Sequence, residues 1–301
     1  MNDTQRYLTK LFLPKENICY TSHVKGTSVM SLEKSLEIVE PYNFVCLNPL
    51  DGKQDLAPYR AYHYPFVPRR ADENLTQRRN FLIEFDSGTL EEQSKNILDF
   101  DLPYTTLTYS GGKSLHAVIA LTESVSAEDY AQYFDLIKIV MWKLDSSCRN
   151  PSKLTRVAGA NRDGKIQDLV DIRRRISVDK LVTWLARFET RIEKALKQQA
   201  AESAKKVEYL ENAKASGAVG IELLNPSTIS FLKGDAGNTS SRHNRLYAIA
   251  CHMFELGIDY DEIHGHITSA AELLGITADR ARRSEAESIV KAAFKQLLRK
   301  A

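Results

Sequence analysis

Residues 80–121 read NFLIEFDSGTLEEQSKNILDFDLPYTTLTYSGGKSLHAVIAL, and the rest of the chain is read outward from them. Residues 81–86, FLIEFD, are a short apolar run closed by Ser87-Gly88, the pattern of a strand ending in a turn. Side chains alternate along a strand, so Glu84 and Asp86 point to the same side. Two carboxylates side by side at the end of a buried strand repel each other unless a cation lies between them. A hard divalent ion with oxygen ligands, such as Mg²⁺, is the simplest candidate. Farther on, residues 105–110 and 115–121 are β-prone and flank Gly111-Gly112-Lys113, which predicts a hairpin with a glycine turn. Ser114 and His116 are again two apart and share a face. The two glycines let backbone N–H groups approach a bound anion.

Gly112-Lys113-Ser114 has the look of a P-loop terminus. That motif needs glycine where Leu107 stands, and it opens a helix where here a strand-like run follows, so the P-loop is excluded.

A chain of 301 residues allows one large domain or two smaller ones, and 43% hydrophobic with 27% charged residues is ordinary for a soluble protein with a core. The formal net charge of +2 does not announce nucleic-acid binding in bulk. Basic residues are nevertheless clumped at Arg69-Arg70, Arg78-Arg79, 173–175 and Arg282-Arg283, each as readily a solvated surface as a binding patch. The four cysteines are widely spaced, without CxxC, so no zinc site or disulfide framework is readable and a reducing cytoplasm is expected. No apolar run reaches membrane-spanning length, and no signal-peptide core is seen.

Along the chain, 32–40 reads as a helix and 44–48 as a strand. Residues 56–70, aromatic and proline-rich, read as a loop packed on the sheet, with base stacking as the other reading. Residues 89–98 predict a helix, and Ser126 caps another whose apolar face runs Tyr130, Phe134, Ile137, Met141, Leu144. Asp145 then falls just past a helix C-terminus, where the helix dipole disfavours a carboxylate and invites a compensating cation or a helix-terminal turn. The loop that follows holds Arg149, Lys153, Arg156, Arg162 and Lys165, with a turn at Asp163-Gly164 and a strand at 169–172. Residues from 178 to 214 read as one long charged helix or two, ended by Ser216-Gly217, forming a weakly packed connector. Residues 218–301 read as a small helical bundle. Its H-x-H, His264 and His266, lies in a helical pattern that points the two rings apart, so no metal role is expected.

These motifs resemble those of the archaeo-eukaryotic primase superfamily, in particular phage and plasmid primase-polymerases. The first is the acid pair Glu84 and Asp86, with Glu where the family usually has Asp, which lengthens the reach to a metal. The second is S-x-H, Ser114-Leu115-His116. The third is a lone acid after a helix, Asp145, followed by an L-x-R-x-x-G loop carrying Arg156 and Gly159. TSSRHNRL at 239–246 resembles, more loosely, the start of a primase C-terminal helical domain. The resemblance implies an α+β fold: a primase-polymerase catalytic domain with an RRM-like sheet and flanking helices over 1–178, a helical connector over 179–217 and an all-α bundle over 218–301.

It further implies a DNA primase or primase-polymerase making short oligonucleotides on a single-stranded DNA template from NTP or dNTP. Two Mg²⁺ or Mn²⁺ ions, and no zinc, would be held by Glu84, Asp86 and Asp145. His116 joins these as a catalytic residue, and Ser110, Lys113, Ser114, His116 and Arg156 would bind the nucleotide. DNA contacts are expected from Arg78, Arg79, Arg149, Lys153, Arg242 and Arg245. A separate replicative helicase would be needed, no membrane is involved, and a phage or plasmid origin would put the protein in its host's cytoplasm. The competing readings are a nucleotidyltransferase of the same fold that does not prime, and a non-enzymatic DNA-binding replication initiator whose acids only pair with arginines.

Overall fold

The computed structural model describes residues 1–23, 28–52, 54–55, 67–68, 70–85, 87–141, 143–235, 242–274 and 279–300. Asp86, Arg69, the aromatic stretch 56–66, residues 239–241 of the TSSRHNRL string and Gly275 lie outside them. The chain divides into two compact units, Met1–Leu196 and Lys197–Ala301. The class is α+β, with antiparallel sheets in the first unit and, among the described residues, helices alone in the second.

The first unit opens with α1 (Asp3–Leu11), β1 (Asn17–Thr21), β2 (Val29–Ser31), α2 (Leu32–Leu36) and β3 (Phe44–Cys46). The short ribbon β4 (Gln54–Asp55) and β5 (Val67–Pro68) precedes β6 (Asn80–Glu84), α3 (Leu90–Asp99), β7 (Thr106–Tyr109), β8 (Leu115–Ala120) and α4 (Ala127–Val140). After α4 come β9 (Leu154–Arg156), the hairpin β10 (Asn161–Arg162) and β11 (Lys165–Ile166), β12 (Leu169–Ile172), α5 (Val178–Ala186) and α6 (Glu189–Ala215). One four-stranded sheet has the order β12-β7-β8-β6 and the other β2-β1-β3-β9.

β6 is central to the core because both its faces are covered, which is why its sequence is a continuous apolar run. Phe81, Leu82 and Ile83 are fully buried, and Phe81 stacks on Tyr130 of α4 at 4.3 Å. Two asparagines tie the two sheets together where backbone would otherwise lack partners. Asn48 Oδ1 accepts from the N–H groups of Arg79 and Asn80, and the Asn80 amide donates to the Leu47 carbonyl at 2.7 Å.

Local chemistry explains most element ends. Thr89 and Ser126 cap α3 and α4 as read. The helix expected over 32–40 stops at Leu36, since β-branched Ile38 and Val39 and then Pro41 oppose its continuation. α4 ends at Val140, although apolar spacing runs on to Leu144. Lys143 takes a left-handed φ of 61°, and Leu144 instead forms a β-bridge to Phe85. The charged segment after 178 is two helices. α5 packs Leu181, Trp184 and Leu185 into the core of the first unit, whereas α6 has no buried residue.

The second unit contains α7 (Pro226–Leu232), α8 (Arg242–Glu255), α9 (Tyr260–Leu273) and α10 (Asp279–Lys300). Leu246, Ile249, Met253, Ile263, Ile267 and Ile289 form its core, as the apolar spacing predicts. His264 stacks on Tyr260 and His266 faces Glu262 at 3.8 Å. No helix among the described residues is long and apolar enough to cross a membrane.

Candidate active site

The site forms where β6, β7 and β8 end beside β9. Antiparallel register sets Glu84 opposite His116, and His116 opposite Thr108, so one face of three strands converges there. His116 Nε2 lies 3.3 Å from Glu84 Oε1 and 3.4 Å from Ser114 Oγ, and its Nδ1 lies 3.4 Å from Thr155 Oγ1 of β9. The S-x-H motif is thereby joined to the first acid.

Asp145 reaches the same place by a backbone bond: its N–H donates to the Glu84 carbonyl at 2.9 Å. It does not sit at the C-terminus of α4. It caps the N-terminus of a 3₁₀ turn, Ser146–Arg149, accepting from the Ser147 N–H at 2.8 Å. The local dipole therefore favours the carboxylate, the reverse of the expectation from sequence.

Between the two acids lies Lys153. Its Nζ is 3.2 Å from Glu84 Oε2, 2.7 Å from Asp145 Oδ2 and 2.7 Å from Ser147 Oγ. Lys153, expected to contact DNA, forms an ion-pair bridge at the centre of the site. Burial alone would push the Glu84 carboxyl up; the hydrogen bond and charge of His116, followed by Lys153, overcome it and hold the pKa at about 2. Asp145 is likewise lowered, with burial outweighed by Lys153 and Ser147. Burial opposes the charge of Lys153, but the Cys148 sulfur and the two carboxylates more than offset it and raise its pKa.

Cys148 was read only as a free thiol. Its Sγ sits 3.7 Å from Asp145 Oδ2 and 3.2 Å from Lys153 Nζ. Burial pushes this thiol up to about 12, so it stays neutral and is a poor ligand for a hard ion. Among the described residues, Glu84, Asp145 and Cys148 are the one grouping of metal-capable side chains, with ligand atoms within 4.8 Å of one another. Two ionised carboxylates already holding a cation fit a hard divalent ion at the position of the Lys153 ammonium. Asp86, the expected third ligand, lies outside the described residues.

Beside Glu84 is a cavity of about 490 Å³ whose wall includes Ser110, Gly111, Lys113, Ser114, His116 and Arg156, together with Glu84 itself. All five residues expected to bind nucleotide thus line one space. Arg162 and Lys165 of the β10–β11 hairpin join them, which the sequence reading treated only as members of a basic loop. Arg156 is steadied over the Phe44 ring at 4.3 Å. Gly111 needs its glycine: φ is +71°, and a Cβ there would meet the Lys165 carbonyl at 3.3 Å. Gln93 of α3 braces the turn from behind, accepting from the Leu115 N–H at 2.9 Å and donating to the Lys113 carbonyl at 3.1 Å. Nothing in the sequence marked Gln93 beyond its place one turn before Ile97 on the buried face of α3.

The other expected DNA contacts are placed elsewhere. Arg79 is 1% exposed, and its guanidinium grips Glu16 and the Leu11 carbonyl, so it is a core residue with no face for DNA. Arg149 forms a two-pronged pair with Asp135 at 2.9 Å, and Arg78 donates to the Asp72 carbonyl. Arg242 donates to the Leu274 carbonyl and Arg245 lies 4.0 Å above the Phe231 ring, both inside the second unit. Gly159 does its work through space: φ is +84°, and a Cβ would come within 2.6 Å of Thr4 Oγ1 on α1.

No protein-family model matches the chain. A curated relative, the polysaccharide lyase 8 family protein HylA of Enterococcus faecalis, is 28% identical over 140 residues, covering 42% of this chain. The chain spans about a tenth of that relative's length, the match covering 10% of it. Among solved structures, the chain is similar to the AEP domain of the cyanophage S-2L primase-polymerase, at TM-score 0.44 and 16% identity over 59% of this chain and 94% of that one. It is also similar to primase RepB', at TM-score 0.36 and 15% identity over 97% of this chain and 93% of that one.

Proposed function

We propose that the first unit is a nucleotidyltransferase of the primase-polymerase type, extending or initiating chains on a single-stranded DNA template. The observation that carries this reading is the cavity with the ionised Glu84 on its wall and the cations Lys113, Arg156, Arg162 and Lys165 around it, Glu84 being joined to the ionised Asp145 through backbone and Lys153. A triphosphate carries charge at one end that such cations neutralise, while acids held together by backbone suit the divalent ions that travel with it.

In this reading Glu84 and Asp145, with Asp86, hold the metal, which when bound stabilises charge on the attacking and departing oxygens. Lys113, Arg156 and the Gly111 turn bind the phosphates and offset the charge that grows as pyrophosphate leaves. His116 and Ser114 orient the phosphate chain next to Glu84. Before the metal enters, Lys153 keeps both carboxylates ionised. The bond formed joins a 3′-oxygen to the α-phosphorus, and the bond broken releases pyrophosphate.

The test is incubation with single-stranded DNA, labelled nucleotides and Mg²⁺ or Mn²⁺, without primer, beside Glu84→Gln and Asp145→Asn. Products from the wild type alone support the reading. Equal products from all three would refute it, and products only with a primer supplied would make the chain a non-priming polymerase. A second reading, a DNA-binding initiator without catalysis, draws on the Lys153 bridge, which already satisfies the acids. It predicts DNA binding indifferent to divalent ions and no pyrophosphate.

A further inference from the structure

We infer a second phosphate-binding site, in the first unit, at the opposite end of β7 from the candidate active site. It is a cavity of about 380 Å³ walled by Arg173, Arg174, Arg175, Lys180 and Arg187, with Asp101 as the one acid. The proposed occupant is the sugar–phosphate backbone of a single nucleic-acid strand. This rests on the template-dependent reading above for its biological sense, though not for its geometry.

β12 ends at Ile172 and three consecutive arginines follow. The first and third are fixed by the fold. Arg173 Nε donates to Asp171 Oδ2 at 2.9 Å, and its guanidinium lies 3.9 Å above the Tyr104 ring. Arg175 donates to the carbonyls of Lys10 and Phe12 at 2.7 and 2.9 Å. Arg187 pairs with Asp101 at 2.9 Å. Arg174 and Lys180 are exposed and have no acidic partner among the described residues. Five cations around one small space, of which Arg173 and Arg187 are paired with Asp171 and Asp101, repel one another, and an entering anion relieves that repulsion.

The lining also says which part of a nucleic acid would enter. Tyr104 is capped by Arg173, and Trp184 is 4% exposed with its indole N–H on the Phe100 carbonyl at 2.9 Å. Neither ring offers a free face for a base, so the site reads phosphate and not sequence. Tyr104 and Arg173 stand at one end of the β7–β12 pair and Ser110 and Gly111 at the other. Six steps of extended chain carry Tyr104 to Ser110, roughly 20 Å at strand rise. A strand held here would lie well clear of the nucleotide cavity and would be anchored without blocking it.

The experiment is fluorescence anisotropy of a labelled oligo-dT with the whole chain, in chelator, across a salt series. It compares the wild type, the double reversal Arg174→Glu/Lys180→Glu and the conservative pair Arg174→Lys/Lys180→Arg. Both positions are exposed, and circular dichroism checks that the fold is kept. The reversal is expected to weaken binding about tenfold or more and to flatten the log–log salt slope by about 1.4, two phosphates' worth. The conservative pair should match the wild type. An unchanged affinity and slope in the reversal overturns the site. Inorganic tripolyphosphate is the second probe. If it binds the wild type but not the reversal, while oligo-dT binds both equally, the cavity holds free polyphosphate and the strand proposal falls. Primer-free synthesis separates this from the functional reading. Strand binding that depends on Arg174 and Lys180 in a chain that makes no product with or without a primer supports the site and removes the polymerase. Synthesis with strand binding indifferent to both residues overturns the site alone.

Discussion

Replacing Lys153 with methionine keeps the length of an apolar stem and removes the one ammonium between Glu84 and Asp145. Lys153 and Glu84 are each 21% exposed and Asp145 14%, so the bridge is only partly screened by water. Glu84 is held at about 2 against an ordinary 4.5. That difference corresponds to about 3 kcal/mol, the net of His116 and Lys153 over the opposing cost of burial. Losing the Lys153 share and leaving two carboxylates facing each other should cost about 2 kcal/mol of folding stability in chelator. Mn²⁺ should then restore it, because the ion takes the place the ammonium held. Each tenfold excess over its Kd adds about 1.4 kcal/mol. Urea unfolding of wild type and Lys153→Met, with chelator and with Mn²⁺, measures both effects. A variant as stable as wild type in chelator would refute the bridge. Equal stabilisation of both proteins by Mn²⁺ would refute the idea that ion and ammonium share one position.

Other outcomes follow from the same geometry. Arg79→Met should lose about 3 kcal/mol in urea unfolding, because the partly buried Glu16 is left without its partner, yet oligonucleotide affinity per folded molecule should not change. Gly111→Ala forces a side chain into a left-handed turn against the Lys165 carbonyl. It should cost about 1–2 kcal/mol and raise the nucleotide KM more than it lowers thermal stability elsewhere. On acidification, the folded carboxyl of Glu84 stays ionised below the point where the unfolded one takes a proton. Its contribution is therefore complete above 4.5 and disappears as pH falls toward 2. A urea midpoint followed across that range should drop in the wild type and stay flatter in Glu84→Gln. Gln93→Leu leaves the Leu115 N–H and Lys113 carbonyl without a partner, and should weaken nucleotide binding with about 1–3 kcal/mol lost in stability.

The sheet segments were legible because their signals are local. A continuous apolar run marks β6, and two β-prone runs around Gly111-Gly112 mark β7 and β8. What escaped the sequence was set by distant partners. Arg79 looks like half of a surface pair, and only the fold reveals Glu16, 63 residues away. Lys153 sits in a basic loop, and the turn that folds it back, Lys153 N–H to the Asn150 carbonyl, gives no hint of the acid 69 residues earlier. Asp145 was read from a helical spacing that continues to Leu144, while one left-handed residue, Lys143, ends the helix early and recasts the acid as a cap. Apolar periodicity reports which face is buried, and it is blind to a single dihedral.

The bridge between Phe85 and Leu144 and the bond from Asp145 to the Glu84 carbonyl close a loop of about sixty residues containing the whole hairpin and α4. The two acids become neighbours only when that loop shuts. Contacts so distant along the chain form late, after the local hairpin and helices have paid their own entropy. Any opening that releases 144–145 from 84–85 therefore separates the carboxylates while leaving β7 and β8 paired. Amide exchange at Asp145 would then report the assembly of the site itself, apart from the stability of the sheet on which it stands.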